Sequence, residues 1–282
     1  MAAVRLAAAT AQHAAPPHIS RPTRPHAGPR APWSPNVDLL LPTGWDAFCV
    51  RTSTSRLADC LQLAPPFTGS STTRGALRGL LGAEPRVPRH RLTVAAARAL
   101  NASANCFVTT VREPLERVES GVRYRRTHNS TAAYARQAAA LPTADLLVAA
   151  WRDPAHPQHQ RAARLASGAA PGGEPPLAQR DFLRGLDGAC GADVYALCTD
   201  RLGAELATLG TAFGAPIRAR WLQRRAADDA ARVHDAAARA WVRRTMADDA
   251  RLHEALCATP RPDAGGDEKA PCVWRLSSTC SQ

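Results

Sequence analysis

Residues 106–126, CFVTTVREPLERVESGVRYRR, determine how the surrounding chain is interpreted. The first six residues are apolar or β-branched, a composition typical of a buried strand. Arg112 follows this run. Pro114 comes next but one, in the first helical turn, where proline is tolerated because its missing N–H would have no partner inside the helix. Three apolar residues then recur at helical spacing: Leu115, Val118 and Val122. The segment therefore predicts a buried strand, an arginine at its end and the start of a helix.

The junction between this strand and helix favours anion binding. Free N–H groups and the positive end of the helix dipole lie at a helix N-terminus. The guanidinium of Arg112 adds a two-pronged donor for phosphate or sulfate oxygens. The alternative is a basic surface helix in which Arg112 forms an ordinary salt bridge with Glu113 or Glu116.

A second segment with the character of an anion site is residues 66–74, PFTGSSTTR, which precedes an apolar, helix-like run. Gly69 allows the backbone to approach an oxyanion, and small hydroxyl side chains cap a helix and donate hydrogen bonds. The segment contains five such side chains: Thr68, Ser70, Ser71, Thr72 and Thr73. It is not a Walker A loop, because it lacks the Gly-Lys-Ser/Thr sequence. The alternative is an ordinary Ser/Thr-rich helix cap.

The series Arg112-Glu113-Pro114, followed by Arg117 and Ser120, resembles the R-(D/E)-P-x-x-R-x-x-S segment of the Golgi carbohydrate sulfotransferases. The nearest branch is that of the heparan sulfate and uronyl 2-O-sulfotransferases. These enzymes use 3′-phosphoadenosine 5′-phosphosulfate (PAPS) as the sulfuryl donor. The resemblance implies that Arg112 and Ser120 bind the 3′-phosphate of PAPS, and that no metal is needed.

The loop at residues 66–73 is similar to the 5′-phosphosulfate loop of that family, P-K-T-(G/A)-S-(S/T)-(T/S). The resemblance implies that residues 68–73 hold the 5′-phosphosulfate. The chain departs from the pattern at Phe67, where the family has a lysine that neutralises the phosphosulfate. Arg74 and Arg78 are candidate substitutes. The alternative is a catalytically impaired relative that binds a glycan or a nucleotide without transferring sulfate.

His90 is the candidate catalytic base. The 2-O-sulfotransferases place a histidine at this spacing before the arginine segment, within an H-G-H motif. In that register His90 matches the second histidine, and Pro88 occupies the position of the first. Sulfuryl transfer to a sugar hydroxyl requires a proton acceptor, and histidine titrates near neutral pH. The alternative is a solvent-exposed loop histidine.

The composition limits the partners. The formal net charge is +12, carried almost entirely by arginine, and arginine suits sulfate, phosphate and carboxylate groups. Coding bias toward arginine is an equally good explanation, because the chain is rich in Ala, Arg, Gly and Pro throughout. A nucleic-acid-binding protein predicts interleaved aromatic residues or a groove-reading motif, and neither is present. The family resemblance implies that the partner is a carbohydrate acceptor, anionic or polysaccharide, and no nucleic acid is expected.

The cysteine pattern gives no metal site. Eight cysteines are present, but none forms a CxxC pair or has zinc-finger spacing. An even number permits disulfide bonds without establishing their pairing. The family resemblance implies a glycoprotein in the Golgi lumen or membrane, and two glycosylation sequons begin at Asn101 and Asn129. The membrane anchor that the resemblance implies is not visible in this chain.

Strand–helix units at residues 61–82, 106–126 and 193–213 predict an α/β fold: a P-loop-like single domain with a central parallel sheet flanked by helices. Residues 1–40, basic and poor in acids, are expected to be disordered or to act in targeting. Residues 41–257 form the predicted sulfotransferase-like domain, and residues 258–282 a polar tail. Within the domain, residues 131–151 and 228–257 are expected to be helical, and residues 152–178 a surface loop.

Overall fold

The computed structural model describes nine segments of the chain, all within one compact unit, residues 31–282. These segments are residues 45–50, 60–81, 93–100, 106–127, 132–168, 178–183, 193–214, 228–258 and 273–278. His90 and the sequons lie outside them, as do residues 1–44.

The described strands form one mixed sheet with the order β1-β5-β4-β3-β2. They are β1 (Trp45–Val50), β2 (Cys60–Gln62), β3 (Cys106–Val111), β4 (Asp193–Cys198) and β5 (Val273–Ser278). Strands β2, β3 and β4 run parallel, whereas β5 is antiparallel to both β4 and β1. The α/β prediction is confirmed at this level. The expected parallel sheet is corrected: only the three strands at one end of the sheet, β4, β3 and β2, are purely parallel.

The C-terminal segment also corrects an expectation. Residues 258–282 were predicted to be a polar tail, but β5 lies inside the sheet, between β1 and β4. A strand that is hydrogen-bonded on both sides has all its backbone groups paired, so a six-residue segment joins a sheet without a long apolar run. Sequence pattern alone does not reveal such a partner far away along the chain.

The described segments contain nine α-helices. They are α1 (Ser70–Leu81), α2 (Val94–Leu100), α3 (Pro114–Thr127), α4 (Ala132–Ala140), α5 (Ala144–Arg152), α6 (His159–Ala166), α7 (Leu202–Ala212), α8 (Ala236–Thr245) and α9 (Ala247–His253). A π-helical turn, Glu254–Ala258, extends α9. The helices expected in residues 131–151 and 228–257 are confirmed. No helix in the described part of the chain is long and apolar enough to cross a membrane.

Residues 152–178 are not the simple surface loop that was expected, because they include α6. This helix is short, but it buries Ala162, Leu165 and Ala166 in a cluster with residues of α3, α5 and α8. Small residues allow helices to approach closely, so an alanine-rich segment packs well here even though its sequence resembles a loop.

Strand β3 shows why the sheet has helices on both faces. All six of its residues are buried. Phe107 and Val111 pack on one face with residues of α2 and α9, and Cys106 and Val108 pack on the other with residues of α1 and α7. Successive side chains of a strand point to opposite faces, so a continuous apolar run requires cover on both. The buried strand predicted from the sequence is confirmed.

Candidate functional site

The carboxyl ends of β2 and β3 meet at the loop predicted to bind phosphosulfate. The N–H of Leu63 donates to the carbonyl of Val108 at 2.8 Å, which keeps the loop beside β3. Thr68 is fully buried; its hydroxyl donates to the carbonyl of Pro65 at 2.8 Å and lies 2.7 Å from the hydroxyl oxygen of Thr110. The Thr68 side chain therefore holds the loop in shape and is not exposed to a ligand.

Thr199 connects the end of β4 to the same place. Its hydroxyl oxygen lies 2.8 Å from the carbonyl oxygen of Val111 and 3.1 Å from that of Thr68, and it donates to one of them at a time. The three parallel strands thus end at one edge, where open α/β sheets bind ligands.

Helix α1 begins at this edge, with Ser70 as its first residue. The N–H of Thr73 donates to the carbonyl of Gly69 at 3.0 Å, the first bond of the helix. The preceding N–H groups have no partner inside the helix, which makes them available to an anion. Ser71 is exposed and Thr72 half-buried, whereas Ser70 and Thr73 are buried.

Arg112 lies at the end of β3, as the sequence predicts. Its Nη1 donates to the carbonyl of Phe67 at 3.1 Å, which joins the guanidinium directly to the loop. Its Nε lies 3.5 Å from a carboxylate oxygen of Glu116, and 18% of the side chain is exposed. Burial lowers the pKa of Arg112, and the charge of Glu116 opposes that shift. Arg112 therefore forms the salt bridge of the alternative interpretation and also lies at the edge where the parallel strands end.

Gln179 fixes the backbone of Arg112 on both sides. The N–H of Arg112 donates to Oε1 of Gln179 at 2.8 Å, and Nε2 of Gln179 donates to the carbonyl of Arg112 at 2.7 Å. Gln179 is 2% exposed. Sequence reasoning missed this residue, because a glutamine in a short 3₁₀ segment carries no local signal of its distant partner.

Phe67 occupies the place of the expected lysine and packs against α3. Its ring lies 5.6 Å from the ring of Tyr124, and the guanidinium carbon of Arg125 lies 5.6 Å from its centre. A Cβ atom at Gly121 would come within 3.0 Å of the ring, so glycine is needed for this close approach. Phe67 has φ +62°, a conformation rare for a bulky residue. Its side chain fills the space beside α3 and offers no hydrogen-bond donor.

Ser120 lies next to Gly121 on α3 and is half-buried. The ring of Phe67 packs over Gly121, so the loop and the middle of α3 are close to each other. The predicted pair Arg112 and Ser120 is thus carried by β3–α3, beside the predicted loop. His90, the predicted base, lies outside the described residues.

Arg117, the second arginine of the motif, is structural. It is fully buried and forms a salt bridge with Asp249 of α9 at 2.8 Å. Its Nε donates to the carbonyl of Pro66 at 3.2 Å, and its Nη2 donates to the carbonyl of Ser167 at 3.0 Å. Burial lowers the pKa of Arg117, and the negative charge of Asp249 opposes this. Arg117 therefore holds the start of the candidate phosphate loop in place through the carbonyl of Pro66.

An open cavity of about 370 Å³ lies along one face of α3, beside Arg112. Helix α3 contributes Glu116, Glu119 and Arg123 to its wall, and Arg112, two residues before the helix, completes that wall. These residues are three or four positions apart in sequence, so their side chains lie on one face of the helix and form one polar surface.

The opposite wall of the cavity comes from the segment that leads into α8 and from α8 itself. They contribute Arg232, Val233, His234 and Arg239. The N–H of Val233 donates to a carboxylate oxygen of Glu119 at 3.0 Å, which ties the two walls together. No local pattern in the sequence indicates this set, because residues more than a hundred positions apart form one cavity.

One cluster of metal-ligating residue types occurs in the described segments: Cys198, Asp200 and Cys257. The two sulfur atoms are bonded to each other as a disulfide. They are therefore not free to act as thiolate ligands, and the cluster is not a metal site in this oxidised form.

No protein-family model, curated protein or solved structure matches this chain. The resemblance to the carbohydrate sulfotransferases therefore rests on the motif residues.

Gly69 supports a specific prediction about the loop. Its φ is +82°, and an added Cβ would lie 3.0 Å from Cδ2 of Leu202. We expect Gly69→Ala to lower the free energy of unfolding by about 1–3 kcal/mol, through backbone strain and this contact. Urea unfolding of the two proteins measures the difference. Gly203→Ala, at a helical glycine of α7, is the control and should be neutral or stabilising. An equal effect of the two substitutions would contradict the prediction.

Proposed function

We propose that this protein is a PAPS-dependent carbohydrate O-sulfotransferase with a P-loop-like nucleotide site. In this proposal the loop at residues 68–73 holds the 5′-phosphosulfate, and Arg112 and Ser120 hold the 3′-phosphate. The acceptor is a hydroxyl group of a glycan or polysaccharide. His90 is the proposed base that removes the proton of that hydroxyl.

One observation carries the proposal: the guanidinium of Arg112 is hydrogen-bonded to the loop at Phe67, across the ends of two adjacent parallel strands. Two candidate phosphate elements, identified separately from the sequence, therefore meet at one edge of the sheet. That edge is where α/β proteins bind nucleotides. A basic surface helix with an ordinary salt bridge would not require this meeting.

The donors at this edge suit the two ends of a nucleotide with two anionic groups. Nε of Arg112 is buried and makes no hydrogen bond within the described segments, so it is a donor without a full partner. The same holds for Nε of Arg74, one of the residues considered as a substitute for the missing lysine. Unsatisfied buried donors are costly, and an anion would satisfy them. The N-terminus of α1 adds backbone N–H groups.

PAPS supplies an activated sulfuryl group whose transfer to an alcohol needs no metal. The residues of this chain bind and orient it: Arg112 neutralises charge at the 3′-phosphate, and the loop N–H groups hold the 5′ end. The transfer releases one proton from the acceptor hydroxyl, which the proposed base accepts.

A second candidate function is binding without transfer. Phe67 favours it, because its ring packs on Tyr124 and places no positive charge at the position of the family's lysine. A site that binds the nucleotide but cannot stabilise the leaving group would transfer sulfate slowly or not at all. The two candidates agree on nucleotide binding and differ only in the rate of transfer.

Calorimetric titration of the full chain with 3′-phosphoadenosine 5′-phosphate (PAP), the product nucleotide, tests the shared part. We expect Arg112→Ala to weaken PAP binding by about 10- to 100-fold, because a charge-assisted hydrogen bond contributes about 1.5–3 kcal/mol. Arg164→Ala, at an exposed arginine of α6, is the control and should bind as the wild type does.

Absence of PAP binding by folded wild-type protein would contradict both candidates. If PAP binds, incubation with sulfur-labelled PAPS and a glycan acceptor separates them. Labelled glycan formed over many turnovers supports the sulfotransferase. PAP binding without labelled glycan supports the catalytically impaired relative.

A further inference from the structure

We infer that Cys198, Asp200 and Cys257, at the end of β4 and in the turn after α9, form a zinc site once the disulfide bond between the two cysteines is reduced. The two sulfur atoms and a carboxylate oxygen all lie within 4.8 Å of one another. Neighbouring ligand atoms around a tetrahedral zinc ion lie about 3.3–3.8 Å apart, given bonds of about 2.0–2.3 Å. The three groups are therefore close enough to share one ion after small side-chain movements. This inference does not rest on the proposed function.

The donor atoms of this cluster suit zinc. Zinc binds thiolate sulfur and carboxylate oxygen in tetrahedral sites, whereas calcium and magnesium prefer oxygen ligands alone. Asp200 is exposed, and both cysteines are buried. The ion therefore has a path from solvent on the side of Asp200, where a water molecule completes the set of four ligands.

Reduction of the disulfide bond must come first, because each sulfur atom is bonded to the other. A dithiol reductant supplies two electrons and two protons: the S–S bond breaks, two thiols form, and the dithiol itself becomes a disulfide. Zinc then displaces both thiol protons, which pass to water, and forms two Zn–S bonds. The metal keeps its oxidation state throughout.

Arg201 compensates the charge of the loaded site. Two thiolates and one carboxylate carry three negative charges, so a Zn²⁺ ion leaves one negative charge in excess. Nη2 of Arg201 donates to the carbonyl of Cys257 at 2.6 Å, and its Nε lies 3.9 Å from a carboxylate oxygen of Asp200. The same Nε lies 3.4 Å from Glu205, which shares this charge. A nearby guanidinium also favours the thiolate form of a cysteine, the form that binds metal.

Packed structure holds the ligands in place. Cys198 is the last residue of β4, and its N–H donates to a carboxylate oxygen of Glu205. Cys198 and Cys257 belong to the same buried apolar cluster. Asp200 lies in a single 3₁₀ turn, residues 199–201. Ligands fixed by packing need little reorganisation when the metal binds.

Thr199 connects this cluster to the candidate phosphate loop. It lies between Cys198 and Asp200 in the chain, and its hydroxyl oxygen lies 2.8 Å from the carbonyl oxygen of Val111 and 3.1 Å from that of Thr68. An ion held by the residues on both sides of Thr199 restricts the turn that carries this hydroxyl. Reduction and zinc binding therefore act at the edge where the parallel strands end.

The test is calorimetric titration of the full chain with Zn²⁺, after reduction by a phosphine in place of a dithiol, because dithiols themselves bind zinc. We expect Asp200→Asn to weaken Zn²⁺ binding about tenfold or more, since loss of even an outer-shell partner weakens metal binding about 10- to 100-fold. Asp229→Asn, at an exposed carboxylate outside the cluster, is the control for net charge and should bind as the wild type does.

Titration with Co²⁺ identifies the sulfur ligands, because thiolate-bound cobalt has a charge-transfer absorption band in the ultraviolet. Cys198→Ala/Cys257→Ala should lose most of this band. Cys60→Ala/Cys106→Ala removes the disulfide bond between β2 and β3 and should retain the band. In the described segments no third residue of a metal-ligating type accompanies that second pair.

Urea unfolding of the reduced proteins distinguishes a folded site from capture of zinc by unfolded thiols. Zn²⁺ should raise the unfolding midpoint of reduced wild type, and it should raise that of reduced Asp200→Asn much less, because a ligand stabilises the state that binds it. Equal Zn²⁺ affinity of these two proteins would overturn the inference. So would an unchanged cobalt band in Cys198→Ala/Cys257→Ala, or equally tight Zn²⁺ binding by the oxidised wild type. Failure of PAP to bind would leave the zinc site unaffected.

Discussion

Replacing Arg117 by methionine should lower the free energy of unfolding by about 3–5 kcal/mol, because it leaves the carboxylate of Asp249 buried without its partner. Both side chains are inaccessible, at 0% and 1% exposure, and Nη1 of Arg117 lies 2.8 Å from Oδ2 of Asp249. A charge in such surroundings is strongly disfavoured unless an opposite charge and hydrogen bonds compensate it. Two carbonyl groups, of Pro66 and Ser167, also lose their donor.

Urea unfolding of wild type and variant measures this loss. Arg126→Met is the matched control: Arg126 bridges Asp228 at 3.0 Å, but 36% of its side chain is exposed. Exposed pairs contribute about 0–1 kcal/mol, so the control should change little. The double variant Arg117→Met/Asp249→Leu should recover much of the lost stability, because no charge stays buried. Equal losses for Arg117→Met and Arg126→Met would contradict a buried, charge-based effect.

The Arg117→Met substitution also tests whether the candidate phosphate loop depends on this buried arginine. Arg117 holds the carbonyl of Pro66, at the start of the loop that joins β2 to α1. If the loop depends on this bond, Arg117→Met will also weaken PAP binding under conditions where the protein stays folded. In the proposed site the second arginine of the motif would therefore act through the position of the loop and not through contact with a ligand.

The sequence was most informative where local pattern decides structure. The buried strand at residues 106–111, the helix beginning at Pro114 and the strand at residues 193–198 follow from apolar runs, a proline and helical spacing. Each depends on neighbours within a few positions. Placing Arg112 at the carboxyl end of a strand needed no knowledge of the rest of the chain.

Features that depend on distant partners could not be predicted. Gln179 fixes the backbone of Arg112, and Asp249 pairs with Arg117, yet neither residue stands out in the sequence. The sequence predicts a polar tail where the structure has β5, because the partners of that strand, β1 and β4, lie far away along the chain. Long-range pairs are specified by the packed structure as a whole, so local periodicity carries little information about them.

The candidate site also has one part that local sequence predicts and another part that only the structure reveals. The loop and Arg112 were identified from their residue types, whereas the cavity on α3 required the structure, because its second wall begins at Arg232. Phe67 is instructive: the sequence shows that a lysine is missing, and the structure shows what replaces it. The ring packs over Gly121, so the departure from the family pattern is accommodated by the neighbouring helix.

Removing the disulfide bond between Cys198 and Cys257 should lower the free energy of unfolding by about 4 kcal/mol. The bond closes a loop with a sequence separation of 59 residues. In the chain-entropy model, opening a loop of this length restores a corresponding amount of freedom to the unfolded chain. Urea unfolding of Cys198→Ala/Cys257→Ala, without reductant, measures the loss. The bond joins the end of β4 to the turn after α9, and Thr199, which contacts the candidate loop, is the next residue.

The single variant Cys198→Ala distinguishes the stability contributed by the disulfide bond from that contributed by local side-chain packing. Loss of either cysteine opens the same bond, so the single and double variants should lose nearly the same stability, a strongly non-additive result. Small, additive losses below about 1 kcal/mol each would show that only local packing had changed. A domain that depends on this disulfide bond requires an oxidising compartment, because reducing compartments keep such cysteines in the reduced thiol form. The Golgi lumen, where the proposed sulfotransferase would act, meets that requirement, so the size of this loss bears directly on the proposal.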